Sequence, residues 1–272
     1  MKKIIFSALR LLKTLYQGRN IIRALAKRDV LSRYSGTQLR GVWEILNPAI
    51  TLFVFWFVFS FALKTKGPSE TPFIIYFITG YLPWIFFSET LTRGSQGIVA
   101  HTFLISKTVF ASEILPFVYI FTSAVNHMIL LVISIFILLL NGVEFSWYLI
   151  QIIYYFITLC IILVGLQWIL SAINVFNRDI GQGVGIALNI LFWVTPIVWV
   201  NDNVIPSKYK WIIDFNPIGY VIDGYRGSLL YHKPMWESWW HQGLFVWSFA
   251  LVLVVLGAIV FQRLKPHFGD VL

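Results

Sequence analysis

Six stretches of this chain run eighteen to twenty-six residues with almost no charge, and they dictate what it can fold into: Leu46–Leu63, Phe73–Leu91, Leu115–Leu140, Trp147–Ala172, Gly183–Val200 and Gly243–Phe261. A helix needs about 20 apolar residues to cross the roughly 30 Å hydrocarbon core of a bilayer. Backbone N–H and C=O groups find no water there, so each stretch must be helical. The sequence therefore predicts an all-α membrane protein with six transmembrane helices. Composition agrees: 58% of residues are hydrophobic and 12% charged, with mean hydropathy +0.76, about half the charged share of a soluble domain. Gly80 and Pro83 in the second span, and Gly183, Gly185 and Pro196 in the fifth, predict kinks or local irregularity.

The connections give orientation. Fifteen of the twenty-one Lys and Arg residues fall at the N-terminus or in the second, fourth and last connections, and six fall in the others. That bias places both termini in the cytoplasm. It also accounts for the net charge of +9 without a nucleic acid partner. The one cysteine, Cys160, lies inside an apolar run, which excludes a disulfide framework or thiolate metal cluster within the chain.

Residues 1–45 read as a cytoplasmic amphipathic region. Ile4, Ile5, Ala8, Leu9, Leu12, Leu15 and Tyr16 share one helical face, with Ser7, Arg10, Lys13 and Thr14 opposite. Such a helix lies in the membrane interface rather than across it. Arg10 and Lys13 interrupt the apolar run, which argues against a signal peptide. One continuous unit follows: residues 46–200 hold spans one to five, 201–242 an extracellular segment, 243–261 span six and 262–272 a cytoplasmic tail. In the inner connection Thr92–Ile114, Gly94-Ser95-Gln96-Gly97 breaks the chain before a short helix, and Pro116 limits the start of the next. In the outer connection, Tyr209–Phe215 and Ile218–Leu230 are apolar but too short to cross, with Asn216-Pro217 as a turn. They predict a re-entrant or interfacial hairpin.

Ionisable chemistry inside the spans is sparse. Glu89 and Arg93 form an i,i+4 pair near the cytoplasmic end of span two, and His127 follows Asn126 in span three. No acidic residue sits at a bilayer midplane, which disfavours ion-coupled carriage. There is no GxxxxGK[ST], HExxH or Gly-x-Ser-x-Gly, and His101, His232, His241 and His267 are scattered over opposite membrane sides. The chain is expected to hold neither a catalytic nor a metal site. Aromatics abound: 12 Trp, 12 Tyr and 24 Phe. Trp147, Tyr148, Trp199, Trp239 and Trp240 suit an interfacial belt. Phe53, Trp56, Phe57, Tyr81, Trp84, Phe87 and Trp193 lie within spans; singly they suit lipid or core, and together they suggest a carbohydrate-like conduit with flat faces for C–H surfaces.

The ordered series Arg28-Asp29, Arg33-Tyr34, Gly41-Val42-Trp43-Glu44-Ile45-Leu46-Asn47-Pro48, Asn177-Arg178-Asp179, Thr195-Pro196-Ile197, Asn216-Pro217, Asp223-Gly224-Tyr225-Arg226 and Pro266–Leu272 resembles polysaccharide-exporting ABC permeases of the ABC-2 type over nearly the whole chain. Locally, Trp43–Pro48, Phe55–Phe59 and Asp223–Leu230 are most similar to the wall teichoic acid exporter's permease; O-antigen and capsule permeases are the alternative. The resemblance implies a homodimer in the bacterial cytoplasmic membrane, docked to two copies of a separate ATPase that binds ATP and Mg. It would move an undecaprenyl-diphosphate-linked polymer. It implies ATPase coupling through Ile98, His101, Phe103, Ile105, Lys107 and Phe110, and substrate access past Arg28, Arg33, Arg40 and Glu44. It implies an extracellular gate at Asn216, Pro217, Tyr220, Asp223, Tyr225 and Arg226. A drug or small-lipid exporter and an intramembrane glycosyl- or phosphotransferase are the rival readings.

Overall fold

The computed structural model describes residues 2–32, 42–68, 71–107, 110–199, 206, 208 and 210–272. Among these there is no β-strand. The helices are α1 (Lys2–Ser32), α2 (Val42–Phe55, continuing as a π-helix Trp56–Ala62), α3 (Phe73–Ser95), the short α4 (Gly97–Ala100) and α5 (Thr102–Lys107), and α6 (Leu115–Leu140). Then come α7 (Gln151–Phe176), α8 (Asp179–Val194), α9 (Lys210–Asp214), α10 (Pro217–Arg226, continuing as a π-helix Gly227–Tyr231) and α11 (Leu244–Leu264).

Among the described residues, four helical stretches are long and apolar enough to cross a membrane: Phe73–Ser95, Ser112–Leu140, Trp147–Phe176 and Leu244–Val271. The expected first and fifth spans are shorter apolar helices, Leu46–Ala62 and Asp179–Val194. The fifth differs from its predicted bounds for two local reasons. It starts earlier because Asn177 Oδ1 accepts the N–H of Asp179 at 3.0 Å, capping the first turn. It stops earlier because Pro196 forces Thr195 out of the helical region, to φ −80° and ψ 136°. Its sixteen residues rise about 24 Å. Pro83, by contrast, lies inside an unbroken α3.

α3 is the central helix. It packs on α6, α7, α8 and α10, and Phe73, Ile75, Phe77, Ile78, Leu82, Phe86 and Phe87 lie in one core with Leu159, Ile162, Val221 and Tyr225. α7 and α11 cross closely at two glycines. A Cβ on Gly165 would lie 2.7 Å from the Leu253 carbonyl carbon, and one on Gly257 would lie 2.6 Å from the Gly165 oxygen. Small residues let helix backbones approach where no hydrophobic driving force separates helix from lipid. A second core, at the end of the bundle that holds α4 and the C-terminus, joins Ile98, Leu115, Trp168, Ala172, Phe261 and Phe268.

α10 packs back on the bundle, against α3 and α7. Asn216 caps α10, its Oδ1 accepting the Ile218 N–H at 3.0 Å, and Pro217 occupies the first turn. The turn expected at Asn216-Pro217 is therefore present, with α9 and α10 as its limbs.

Candidate transport site

The broken end of α8 frees carbonyls that need donors, and two side chains supply them. Arg226 donates from Nη1 to the Pro196 carbonyl at 2.7 Å and from Nη2 to that of Ile197 at 2.9 Å. Tyr76 on α3 donates its hydroxyl to the Trp199 carbonyl at 3.0 Å. The guanidinium carbon stands 3.7 Å over the Tyr76 ring, and Arg226 is 2% exposed. Gly80 makes room for it: a Cβ there would sit 2.6 Å from Nη2. Asp223, one turn back, lies 3.6 Å from Nη1. Asn216 Nδ2 donates to Thr195 Oγ1 at 2.8 Å, fastening the start of α10 to the same break. A charge this deep is costly unless its donors are met; here the planar fork grips a peptide pair with both Nη atoms, while Nε is buried without a hydrogen-bond partner.

The other expected gate residues are interior as well. The Tyr225 hydroxyl pairs with His127 Nε2 at 3.0 Å, and that of Tyr220 with the Tyr154 hydroxyl at 3.1 Å. The structure thus buries Asn216, Tyr220, Tyr225 and Arg226 in one latch around α10, with Pro217 half-buried and Asp223 exposed.

A groove of about 440 Å³ opens between α3 and α8 on the side toward α1. Ser88, Glu89, Thr92 and Arg93 line it from α3, Gly185, Leu188 and Asn189 from α8, with Trp84 and Phe192 above. The Trp84 and Phe192 rings lie 5.5 Å apart. Arg93 forms the expected pair with Glu89 at 3.8 Å and a shorter one with Asp29, which ties α1 to α3. The predicted aromatic set divides. Phe53, Trp56, Phe57 and Trp193 are exposed on α2 and α8, Tyr81 is half-buried, Trp84 lines the groove, and Phe87 belongs to the core. Sequence reasoning missed Ser88, Thr92, Asn189 and Phe192. The signal was present as a polar stripe at i and i+4 on α3 in an otherwise apolar helix.

Between α3 and α6, α4 and α5 form the expected short helical segment. Ile98 is fully buried, and Ile105 and Phe110 pack against the second core. His101 Nδ1 pairs with the Gly97 carbonyl at 3.0 Å and lies 3.4 Å from the Tyr119 hydroxyl. Phe103, 73% exposed, is the outward apolar group. Arg28 is exposed on α1. Arg33 and Arg40, and the side chains of Glu44 and Lys107, lie outside the described residues.

None of these groups makes an activated nucleophile or an acid–base pair, and the described residues contain no cluster of three or more His, Cys, Asp or Glu side chains able to hold a metal ion. The groove offers hydroxyls, an amide, one ion pair and ring faces. The fold is all-helical, with four helices of membrane-crossing length and composition among the described residues.

The ABC-2 type transporter family matches residues 20–230, and the chain belongs to that family. Among known proteins it is similar to O-antigen export system permease proteins RfbA. Two from Klebsiella pneumoniae are 26% and 27% identical over 262 and 255 residues, each alignment covering 93% of this chain and 95% of the relative. One from Myxococcus xanthus is 26% identical over 270 residues, covering 96% and 99%. These relatives bear O-antigen names, so the preference for teichoic acid drawn from Trp43–Pro48, Phe55–Phe59 and Asp223–Leu230 gives way to the O-antigen alternative.

Proposed function

We propose that the chain is the membrane subunit of an ATP-driven exporter of a lipid-linked surface polysaccharide of the O-antigen kind. In this reading all six apolar helices cross the cytoplasmic membrane with both termini inside, and α1 lies at the inner interface. Two copies enclose the passage, and two separate ATPase subunits bind ATP and Mg and supply the work. The observation that carries it is the likeness to O-antigen permeases over nearly the full length of both chains. The groove supports it, because a largely apolar lining with Ser88, Thr92 and Asn189 offers a sugar both ring faces and hydrogen-bond partners. Phe103 is the apolar group offered to the ATPase; Ile105 and Phe110 are occupied by the protein's own core.

The test is co-expression of the chain with its ABC ATPase in cells whose surface polysaccharide depends on both. The unaltered pair is expected to co-purify and to restore the polysaccharide, while Phe103→Asp keeps the permease folded but loses the ATPase and the export. Intact surface polysaccharide after depletion of the chain overturns the reading.

A further inference from the structure

On the outer face a second recess, about 340 Å³, opens between α10, the outer end of α7 and residues 231–242. It shares no lining residue with the groove between α3 and α8, and its size falls at the lower end of ligand sites, about 300–1,000 Å³.

Its walls are held from behind. Gly224 has no side chain, and the Tyr155 ring fills the place: a Cβ at 224 would lie 2.2 Å from Tyr155 Cε1. The Tyr155 and Tyr220 rings meet edge to face, with centroids 5.5 Å apart. Behind Tyr220, the Tyr154 hydroxyl accepts the Trp247 indole N–H at 2.7 Å. The rim is fixed as well, since Gln151 Nε2 donates to the Lys233 carbonyl at 3.1 Å and its Oε1 accepts the Met235 N–H. Lys233 in turn donates its N–H to the Gly227 carbonyl at 2.9 Å.

Into this rigid cup project the carboxylates of Asp223 and Glu237 and the amide of Gln242, beside the Tyr231 ring. Asp223 is partly exposed, and at 3.6 Å its contact with Arg226 is too long for a full hydrogen bond, so its oxygens keep acceptor capacity. Planar acceptors beside ring faces match the vicinal hydroxyls and C–H faces of a sugar ring. The charges on the walls balance: Asp223 and Glu237 face Arg226, which keeps its charge while the Pro196 and Ile197 carbonyls hold its donors, and Lys233, whose ammonium stands 5.8 Å from the Tyr231 ring centroid. A phosphate headgroup therefore gains no net attraction here.

We infer that this recess is a saccharide site on the outer face that receives a short uncharged stretch of the exported polymer; the inference rests on the polysaccharide reading above. The test places p-benzoylphenylalanine at Tyr231, and separately at Phe192 in the inner groove, in cells making the complete transporter. Irradiation is expected to give a high-mass adduct at 231 that carries the cell's own polysaccharide. The purified transporter is expected to bind that polysaccharide, released from its lipid, about fivefold more weakly in Glu237→Gln and in Gln242→Ala, as loss of one hydrogen bond implies. Glu237 is exposed and its change leaves the fold intact, so unchanged binding in both variants counts against the site. Phospholipid as the adduct at 231 makes the recess a headgroup site and overturns the inference. Labelling at 192 but not at 231 overturns it while sparing the export reading. Labelling at neither, with surface polysaccharide undiminished when the chain is depleted, removes both.

Discussion

Replacing Arg226 by methionine removes the guanidinium while keeping most of its stem, so the change isolates the polar latch from the packing around it. Two buried carbonyls, those of Pro196 and Ile197, lose donors at 2.7 and 2.9 Å. Each charge-assisted bond contributes about 1.5–3 kcal/mol, and each orphaned buried acceptor costs about 1–3 kcal/mol. Relief from burying the cation offsets part of this, which leaves a net loss of about 2–4 kcal/mol. For a domain of this size that lowers the unfolding midpoint by roughly 10 °C. Asp223→Asn is the control: its carboxylate is 3.6 Å from Arg226 and 56% exposed, so its loss costs below about 1 kcal/mol. Arg226→Lys falls between, because an ammonium does not fork to two carbonyls. The assay is thermal unfolding of the purified protein in detergent, with hydrogen exchange followed at residues 196–199 and 216–231. Faster exchange confined to those two segments is expected in the methionine variant. A midpoint within about 2 °C of the parent, or equal damage from Asp223→Asn, refutes the latch.

Gly80→Val drives a side chain into Arg226 Nη2, which a Cβ alone would approach to 2.6 Å; it should reproduce the Arg226→Met exchange pattern, and the double variant should be no worse than either single one. Arg93→Ala severs the tie to Asp29, so protease cleavage within α1 should quicken while the midpoint of the bundle stays unchanged. Gly165→Leu meets the Leu253 backbone at 2.7 Å, where no side chain can yield; the yield of monodisperse protein in gel filtration should fall severalfold, whereas Gly183→Leu, with nothing within 4 Å of its Cβ position, should leave it unchanged.

What the sequence disclosed follows the range of each signal. Helix content, the bounds of α6, the cap at Asn216-Pro217 and the Glu89–Arg93 and Asp223–Arg226 pairs all depend on residues within one or two turns, and periodicity reads such distances well. The Asp29–Arg93 and Glu113–Lys265 pairs join residues far apart in the chain, and no spacing rule says which helix faces will meet. The end of α8 was misjudged because Pro196 was read as a kink, although Thr195 before it was the residue pushed out of the helix. The π-helical end of α2 at Trp56–Ala62 has no comparable sequence mark. The central position of α3 was legible in principle. It is the least apolar of the four long spans and the most buried, 72% against 22% for the last. In a bilayer the outside is the apolar solvent, so polar residues mark the inside.

That inversion also explains how the groove relates to the latch. α3 is continuous from Phe73 to Ser95, and Tyr76 and Arg93 are separated along it by about 25 Å. Its N-terminal end holds α10 and the broken end of α8 through Arg226, Tyr76 and the Gly80 notch. Its C-terminal end holds α1 through Arg93. α8 is seated unevenly between them: Val184 and Leu188 are its buried residues, and Gly183 and Gly185 have no neighbour within 4 Å of a Cβ position. The end of α8 near α1 is tied as well, since the Gly181 N–H donates to Asn174 Oδ1 of α7 at 3.0 Å. Widening the groove there breaks that bond and unseats Val184 and Leu188, whereas widening it at the other end breaks the two bonds that Arg226 makes to the Pro196 and Ile197 carbonyls. Opening at either end costs packing or hydrogen bonds, and the larger electrostatic share sits at Arg226.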